Sequence, residues 1–426
     1  MSADTTIVSV TARQVYSDRG HPGVEATVKT ANGAQGVAIC TAGISVGTHE
    51  VEFAYDGGPK WRGKGVMRAV NAVNEIIAPV LKGMDATRQQ AIDQAMLDLG
   101  KQRVGGNATA AVSAAALKAG AAALGIPLYQ HIGGVNACTL PVPGVICLVG
   151  SDRYGGGARS GGKPSYAFMC YGFDTFSEAS YAGWDISVEW SDVLNKKLGV
   201  PKHSVTHAPG VPRGYVKDDR EIWDLMVQTI NKLGYEGKIG IQVDVASETY
   251  WEEAEGRYIG LFSETPKTKD DLFKIYHMMA RDYPFVIIED PFDEDDYESH
   301  AILTRELDIQ IVGDDLFTTD PARVQKGIDA GAANCVLLKV NQIGTISEAL
   351  DMIQLAYRHG YGVMPCSSRG EGADIADYCV GINAGTVRES ATGPAGNRFL
   401  QIEAELGKRA KFLGKRGLKG RRFQGG

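Results

Sequence analysis

The sequence predicts an α/β protein: a large α/β barrel of the TIM-like kind, with seven or eight strands, preceded by a smaller α+β domain. Three observations carry this. A chain of 426 residues is too long for one small core. Residues 6–40 alternate apolar and polar in the β manner and are broken at Gly20, His21-Pro22-Gly23 and Asn32-Gly33, as a short antiparallel meander would be. Beyond Leu140-Pro141-Val142-Pro143, short apolar runs alternate with amphipathic stretches, the pattern of parallel strands joined by helices.

In chain order, the meander is followed by amphipathic helices over 66–82 and 86–98. The Ala-rich stretch 108–124 is small and apolar nearly all round, as a buried helix is. These segments make a first domain over 1–135. A second domain over 141–426 carries strands at 143–149, 165–171, 239–244, 285–289, 309–313, 335–339 and 361–365. The helices between them include 218–233, 268–281, 320–330 and 344–358. Seven or eight such strands in about 285 residues favour a closed barrel over an open sheet. The Gly-rich stretch 150–163 reads as a mobile basic loop near the barrel mouth. Its GARSGGKP segment is no P-loop, because Pro164 stands where the Mg²⁺-binding hydroxyl would be.

Bulk properties narrow the function. The formal net charge of −7 provides no field for nucleic acid or anionic membrane. No apolar run reaches the ~18 residues of a membrane span, and MSADTTIVSV lacks the basic and apolar regions of a secretory signal. Seven dispersed cysteines without a C-x-x-C pair suit reduced thiols in a cytoplasm. The basic stretch near the C-terminus reads as a solvated helix end, and His203-x₃-His207 sits among Gly and Pro, where zinc-binding helical spacing has no helix to use.

Four apolar runs end in a charge: Ile241-Gln242-Val243 in Asp244, Val286-Ile287-Ile288 in Glu289, Ile311-Val312-Gly313 in Asp314, and Val336-Leu337-Leu338 in Lys339. The steps from 289 to 314 and from 314 to 339 are both 25 residues, one β/α unit each. Equivalent strand ends of a barrel converge on its catalytic mouth. Three converging carboxylates repel unless a cation holds them, and an all-oxygen set suits Mg²⁺. A lysine beside that cation is pushed towards service as a base. Metal-stabilised enediolate chemistry with a lysine base is one established use of such a set; an internal salt-bridge network is the other reading.

The chain also resembles the enolase family, in TARQVYSDRGHPGVEA (11–26), GISVGTHE (43–50), RGKGV (62–66), LPVP (140–143), VDVASETY (243–250), IEDPFDEDD (288–296), IVGDDL (311–316) and LLKVNQIGTISEAL (337–350). The resemblance spans essentially the whole chain. It implies an enolase-type barrel with an antiparallel second strand, a capping N-terminal domain, Mg²⁺ as cofactor, a small phosphorylated acid as substrate, and a homodimer or larger homo-oligomer. By position, Asp244, Glu289 and Asp314 resemble the Mg²⁺ ligands, Lys339 the base that takes the α-proton, and Ser45 the serine that closes over a second Mg²⁺.

The departures cluster. Thr206-His207-Ala208-Pro209-Gly210 stands for the family's G-D-E-G-G, and Ala167 for its second acid. Val149-Gly150-Ser151-Asp152-Arg153 replaces N-G-G-S-H, Cys366-Ser367-Ser368-Arg369 replaces S-H-R-S, and Arg388 falls near the late lysine. Metal and base are kept, while the acid that expels hydroxide is missing; such an acid is typically worth ~10²–10⁴ in rate. His207 is a candidate substitute. Arg153, Ser367, Ser368, Arg369 and Arg388 offer donors for phosphate, phosphonate or carboxylate. This pattern resembles carboxyphosphonoenolpyruvate synthases of phosphinothricin-type antibiotic pathways, which implies a transferase joining a nucleotide-activated phosphonoformate to an enolpyruvate unit. The alternative is phosphopyruvate hydratase, interconverting 2-phosphoglycerate and phosphoenolpyruvate; a non-catalytic scaffold is a third reading, disfavoured by the intact metal and base set.

Overall fold

The computed structural model describes residues 4–17, 20–43, 46–150, 152–205 and 207–424. The meander forms as the alternation predicts. Strands β1 (Ile7–Tyr16), β2 (Pro22–Thr30) and β3 (Gln35–Thr41) pair antiparallel in sequence order. Helix α1 (Gly106–Leu124) lies on this sheet and is buried along most of its length. Its alanines permit unusually close approach: a Cβ on Gly36 would stand 2.0 Å from the Ala115 carbonyl. The helix stops where Gly125 turns left-handed (φ 66°). The stretch 66–82 is not one regular helix. It runs α over Met67–Ala72, π over Val73–Ile77 and α again from Ala78, with Pro79 in that last first turn. A proline interior to a helix removes a donor and clashes with the preceding turn.

The second sheet has eight strands: β4 (Val142–Leu148), β5 (Ser165–Cys170), β6 (Ile239–Asp244), β7 (Phe285–Glu289), β8 (Gln310–Gly313), β9 (Cys335–Leu338), β10 (Gly362–Pro365) and β11 (Thr386–Val387). Their spatial order is β10-β9-β8-β7-β6-β5-β4-β11. Strand β5 is antiparallel to both neighbours, and the other pairings are parallel. Between β11 and β10 the Arg388 amide donates to the Pro365 carbonyl at 3.1 Å, bringing the sheet close to a closed barrel. Strand β11 escapes periodicity because two residues carry no period. The helix α2 (Phe176–Leu198), capped by Thr175, fills the connection after β5.

Helix boundaries follow their caps. Helix α3 (Pro321–Ala330) starts at Asp320, whose carboxylate accepts the Ala322 amide, and stops at left-handed Gly331 (φ 72°). Helix α4 (Ile346–Arg358) begins two residues later than its apolar period suggests, because Gly344 (φ 113°) ends a short preceding turn and Thr345 supplies the new cap. The described residues 152–163 of the Gly-rich stretch are packed rather than standing free: Tyr154 is buried, and a Cβ on Gly156 would meet the Ile259 carbonyl at 1.8 Å. Among the described residues no single helix is long and apolar enough to cross a membrane.

One buried histidine makes a pH prediction. His300 is wholly enclosed, with Nδ1 on the Asp296 carbonyl at 2.9 Å and its ring edge-on to Phe292. Burial depresses its pKa from 6.5 to about 4. The unfolded chain therefore takes up this proton first, so the histidine's contribution is present above pH ~6.5 and is lost as pH falls towards 4. Denaturant melts across that window should show a stability loss on the order of 3 kcal/mol from this group, and His300→Leu should flatten it.

Candidate functional site at the barrel mouth

The four charged tips meet because register brings them together. Glu289 pairs with Asp244 on one side and with Val312, two residues before Asp314, on the other. Val312 pairs in turn with Cys335 of β9, the strand that ends at Lys339. Asp244, Glu289, Asp314 and Lys339 are all buried. Lys339 Nζ donates to Asp314 Oδ2 at 2.5 Å, and Gln342 Nε2 donates to Asp314 Oδ1 at 2.8 Å. Arg388 and Lys163 both contact Asp244 Oδ2, and Arg388 Nε lies 3.4 Å from Glu289 Oε2. Gln242 Nε2 donates to Glu289 at 3.0 Å.

Oxygens of Glu289, Asp290 and Asp314 lie within 4.8 Å of one another, close enough to share a cation. Asp290, however, spends both oxygens on the Asp314 and Asp315 amides, at 3.0 and 2.9 Å, from a left-handed backbone (φ 44°). It braces the turn after β8. Asp244 Oδ1 and Glu289 Oε1 are buried without a partner, and a buried carboxylate oxygen so placed calls for a cation. Glu289 and Asp314 are thus close enough to share a hard divalent ion, while Asp244 Oδ2 is turned towards Lys163 and Arg388.

Burial pushes Glu289 up to about 8, against the nearby Lys163. It likewise raises Asp290 to about 8, with Asp314 and Glu289 adding to the shift. For Asp314 burial acts upward too, but the Lys339 ammonium overrides it and holds the carboxyl below its ordinary value. Lys339 is the mirror image: burial would lower it, and Asp314 holds it above the ordinary lysine value. Asp315 and Glu248 form a further acidic layer, raised by burial and by neighbouring carboxylates.

A cavity at the mouth is lined by Lys163, Lys339, Ser368, Arg369, Arg388 and Glu389, among others. The remaining expected residues divide. Ser367 is half-buried after β10 but does not line this cavity. Arg369, 1% exposed, is clamped by Glu50 at 2.7 and 2.5 Å, so the small N-terminal unit reaches into the mouth. Gly47 comes so close that a Cβ there would lie 2.8 Å from Asp315 Oδ1. Ser45 falls outside the described residues. Two expectations are corrected. Arg153 is sequestered in the wall: its Nη1 donates to both Asp219 oxygens, at 2.6 and 2.8 Å, where the Tyr154 and Tyr166 hydroxyls also converge. A buried guanidinium takes the nearest carboxylate, and here that is Asp219 rather than a ligand. His207 is exposed on its loop, with Ser204 Oγ 2.8 Å from Nδ1, and does not line the cavity.

Sequence reasoning missed Lys163, Glu389 and Glu50. Lys163 carried a weak signal, a cation at the end of the basic Gly-rich loop, and Glu50 closes the GISVGTHE motif, whereas Glu389 carried none.

Comparison with known proteins agrees with this geometry. The model for "Enolase, N-terminal domain" matches residues 7–132, and that for "Enolase, C-terminal TIM barrel domain" matches 137–420. Proteins named "Enolase" from Methanopyrus kandleri and Pyrococcus furiosus are 40% and 41% identical, over 95% and 96% of this chain and 97% of each relative. The "Enolase" of Bifidobacterium animalis is 39% identical over 96% of the chain and 97% of its own length. These matches overturn the reading of a phosphonate-pathway synthase, which rested on substituted motifs alone, and favour its hydratase alternative. On fold, barrel mouth and full-length similarity together, the chain belongs to the enolase family.

Proposed function

We propose that this chain is a phosphopyruvate hydratase, a lyase interconverting 2-phosphoglycerate and phosphoenolpyruvate with Mg²⁺ on Asp244, Glu289 and Asp314. The observation that carries this reading is Lys339, buried at a strand end against Asp314 beside two carboxylates with orphaned oxygens. Bound Mg²⁺ supplies charge stabilisation for an enediolate. Lys339 would take the C2 proton as the neutral amine, so it must first leave Asp314 and lose a proton, which a cation on Asp314 would favour. Arg388, with Ser368 lining the same cavity, holds the substrate's anionic groups. Arg369 is committed to Glu50 and keeps the mouth in shape.

Seven buried, unbridged cysteines support a reducing, cytoplasmic setting, and the family resemblance supports a homo-oligomer. Ala167 is buried between Ile146 and Gln242 on the flanking strands and has no proton to give. The proton for the departing hydroxide must therefore come from another cavity residue.

Adding 2-phosphoglycerate and Mg²⁺ should generate the ultraviolet absorbance of phosphoenolpyruvate. Chelation should abolish the signal and Mg²⁺ should restore it. Absence of phosphoenolpyruvate formation with Mg²⁺ present would refute the reading.

A further inference from the structure

We propose that Glu389 is the acid that protonates the departing C3 hydroxide, replacing the pair lost at Ala167 and Ala208; this rests on the hydratase reading. The other described carboxylates near the mouth are placed elsewhere, Asp315 and Glu248 in an acidic layer that does not line the cavity. Asp244, Glu289 and Asp314 form the cation cradle. Asp290 is spent on two backbone amides. Glu50 holds the Arg369 guanidinium, and Glu371 accepts the Arg369 amide at 2.9 Å. Among the described residues, Glu389 is the only carboxylate lining the cavity that also contains Lys339.

Its position follows from β11. That strand is two residues long, and Arg388 and Glu389 follow it directly. Arg388 reaches inward to Asp244 and Glu289. Glu389 stays half-buried at the rim, with Oε1 3.7 Å from Cys366 Sγ at the end of β10. Lys339 follows β9 and Glu389 follows β11, so across the β10–β11 contact base and acid are carried two strands apart on the barrel wall. A carboxyl that lines the same cavity as the base but stands outside the cation cradle can serve as the second proton-transfer group.

The step balances within these groups. Lys339 Nζ takes the C2 proton. The pair left on C2 becomes the C2=C3 bond, and the C3–O bond breaks with its electrons on oxygen. That oxygen takes the Glu389 carboxyl proton and leaves as water. The reverse reaction restores both groups.

The test separates the two proton transfers. Native protein, Glu389→Gln and Lys339→Ala are each given 2-phosphoglycerate and Mg²⁺ in deuterated water. Phosphoenolpyruvate is followed by absorbance and C2 exchange by proton NMR. Glu389→Gln should lose phosphoenolpyruvate formation by ~10²–10⁴-fold yet keep C2 exchange and calorimetric Mg²⁺ binding. Lys339→Ala should lose both reactions. Native-like phosphoenolpyruvate formation by Glu389→Gln would overturn the assignment and leave the hydratase reading standing. Loss of C2 exchange in that variant would also overturn it, marking a structural role. A native protein that forms no phosphoenolpyruvate would overturn both.

Discussion

Lys339→Ala is expected to lower turnover of 2-phosphoglycerate by at least ~10²–10⁴-fold, the range for loss of a positioned proton-transfer group. The stability consequence separates this from general damage. Lys339 and Asp314 are 5% and 4% exposed at their side chains, 2.5 Å apart. Removing one partner of such a pair leaves an uncompensated charge, at a cost of about 3–5 kcal/mol. Asp314 keeps the Gln342 amide at 2.8 Å, and Mg²⁺ on the carboxylate supplies a new counter-charge. The metal-free variant should therefore melt well below the native protein, and Mg²⁺ should stabilise the variant more than it stabilises the native chain. Circular dichroism with and without Mg²⁺ reads this difference. Near-native turnover by the alanine variant would remove Lys339 from the reaction.

Glu50→Ala is expected to be the most destabilising single change at the junction between the small unit and the barrel. Glu50 and Arg369 have side chains 2% and 1% exposed and meet fork to fork. The alanine variant leaves a guanidinium buried without its carboxylate, again costing about 3–5 kcal/mol. The local backbone gives no escape, because the Arg369 carbonyl accepts the Thr41 amide at 3.0 Å. Chemical denaturation should show the loss, and KM should rise because Glu50 no longer ties residues 46–50 to Arg369 at the mouth. Stability within about 0.5 kcal/mol of native would reduce the pair to the weight of an exposed ion pair.

The barrel and its four charged tips were legible in the sequence because each tip ends a continuous apolar run, and such runs report buried strands by themselves. The small sheet was legible for a related reason, its alternation being local. What stayed hidden depends on partners far along the chain. Glu50 and Arg369 are 319 residues apart, and nothing near either one announces the other. Arg153 looked like a ligand donor because a charge alone does not reveal Asp219, 66 residues on. Glu389 follows a strand too short to have a period. The weight placed on missing acids led towards a different reaction, whereas similarity over the whole chain restores the hydratase reading.

The Gly331 turn shows what this division of labour permits. It lies at the end of the barrel remote from the chemistry, left-handed and exposed, with open space where a side chain would be. The tips that do the work are set by hydrogen-bonded strands, so extra sequence inserted at this bend would lengthen a connection without moving an oxygen or a nitrogen at the opposite rim. Grafted tags or whole guest modules belong there, where the reactive end stays still.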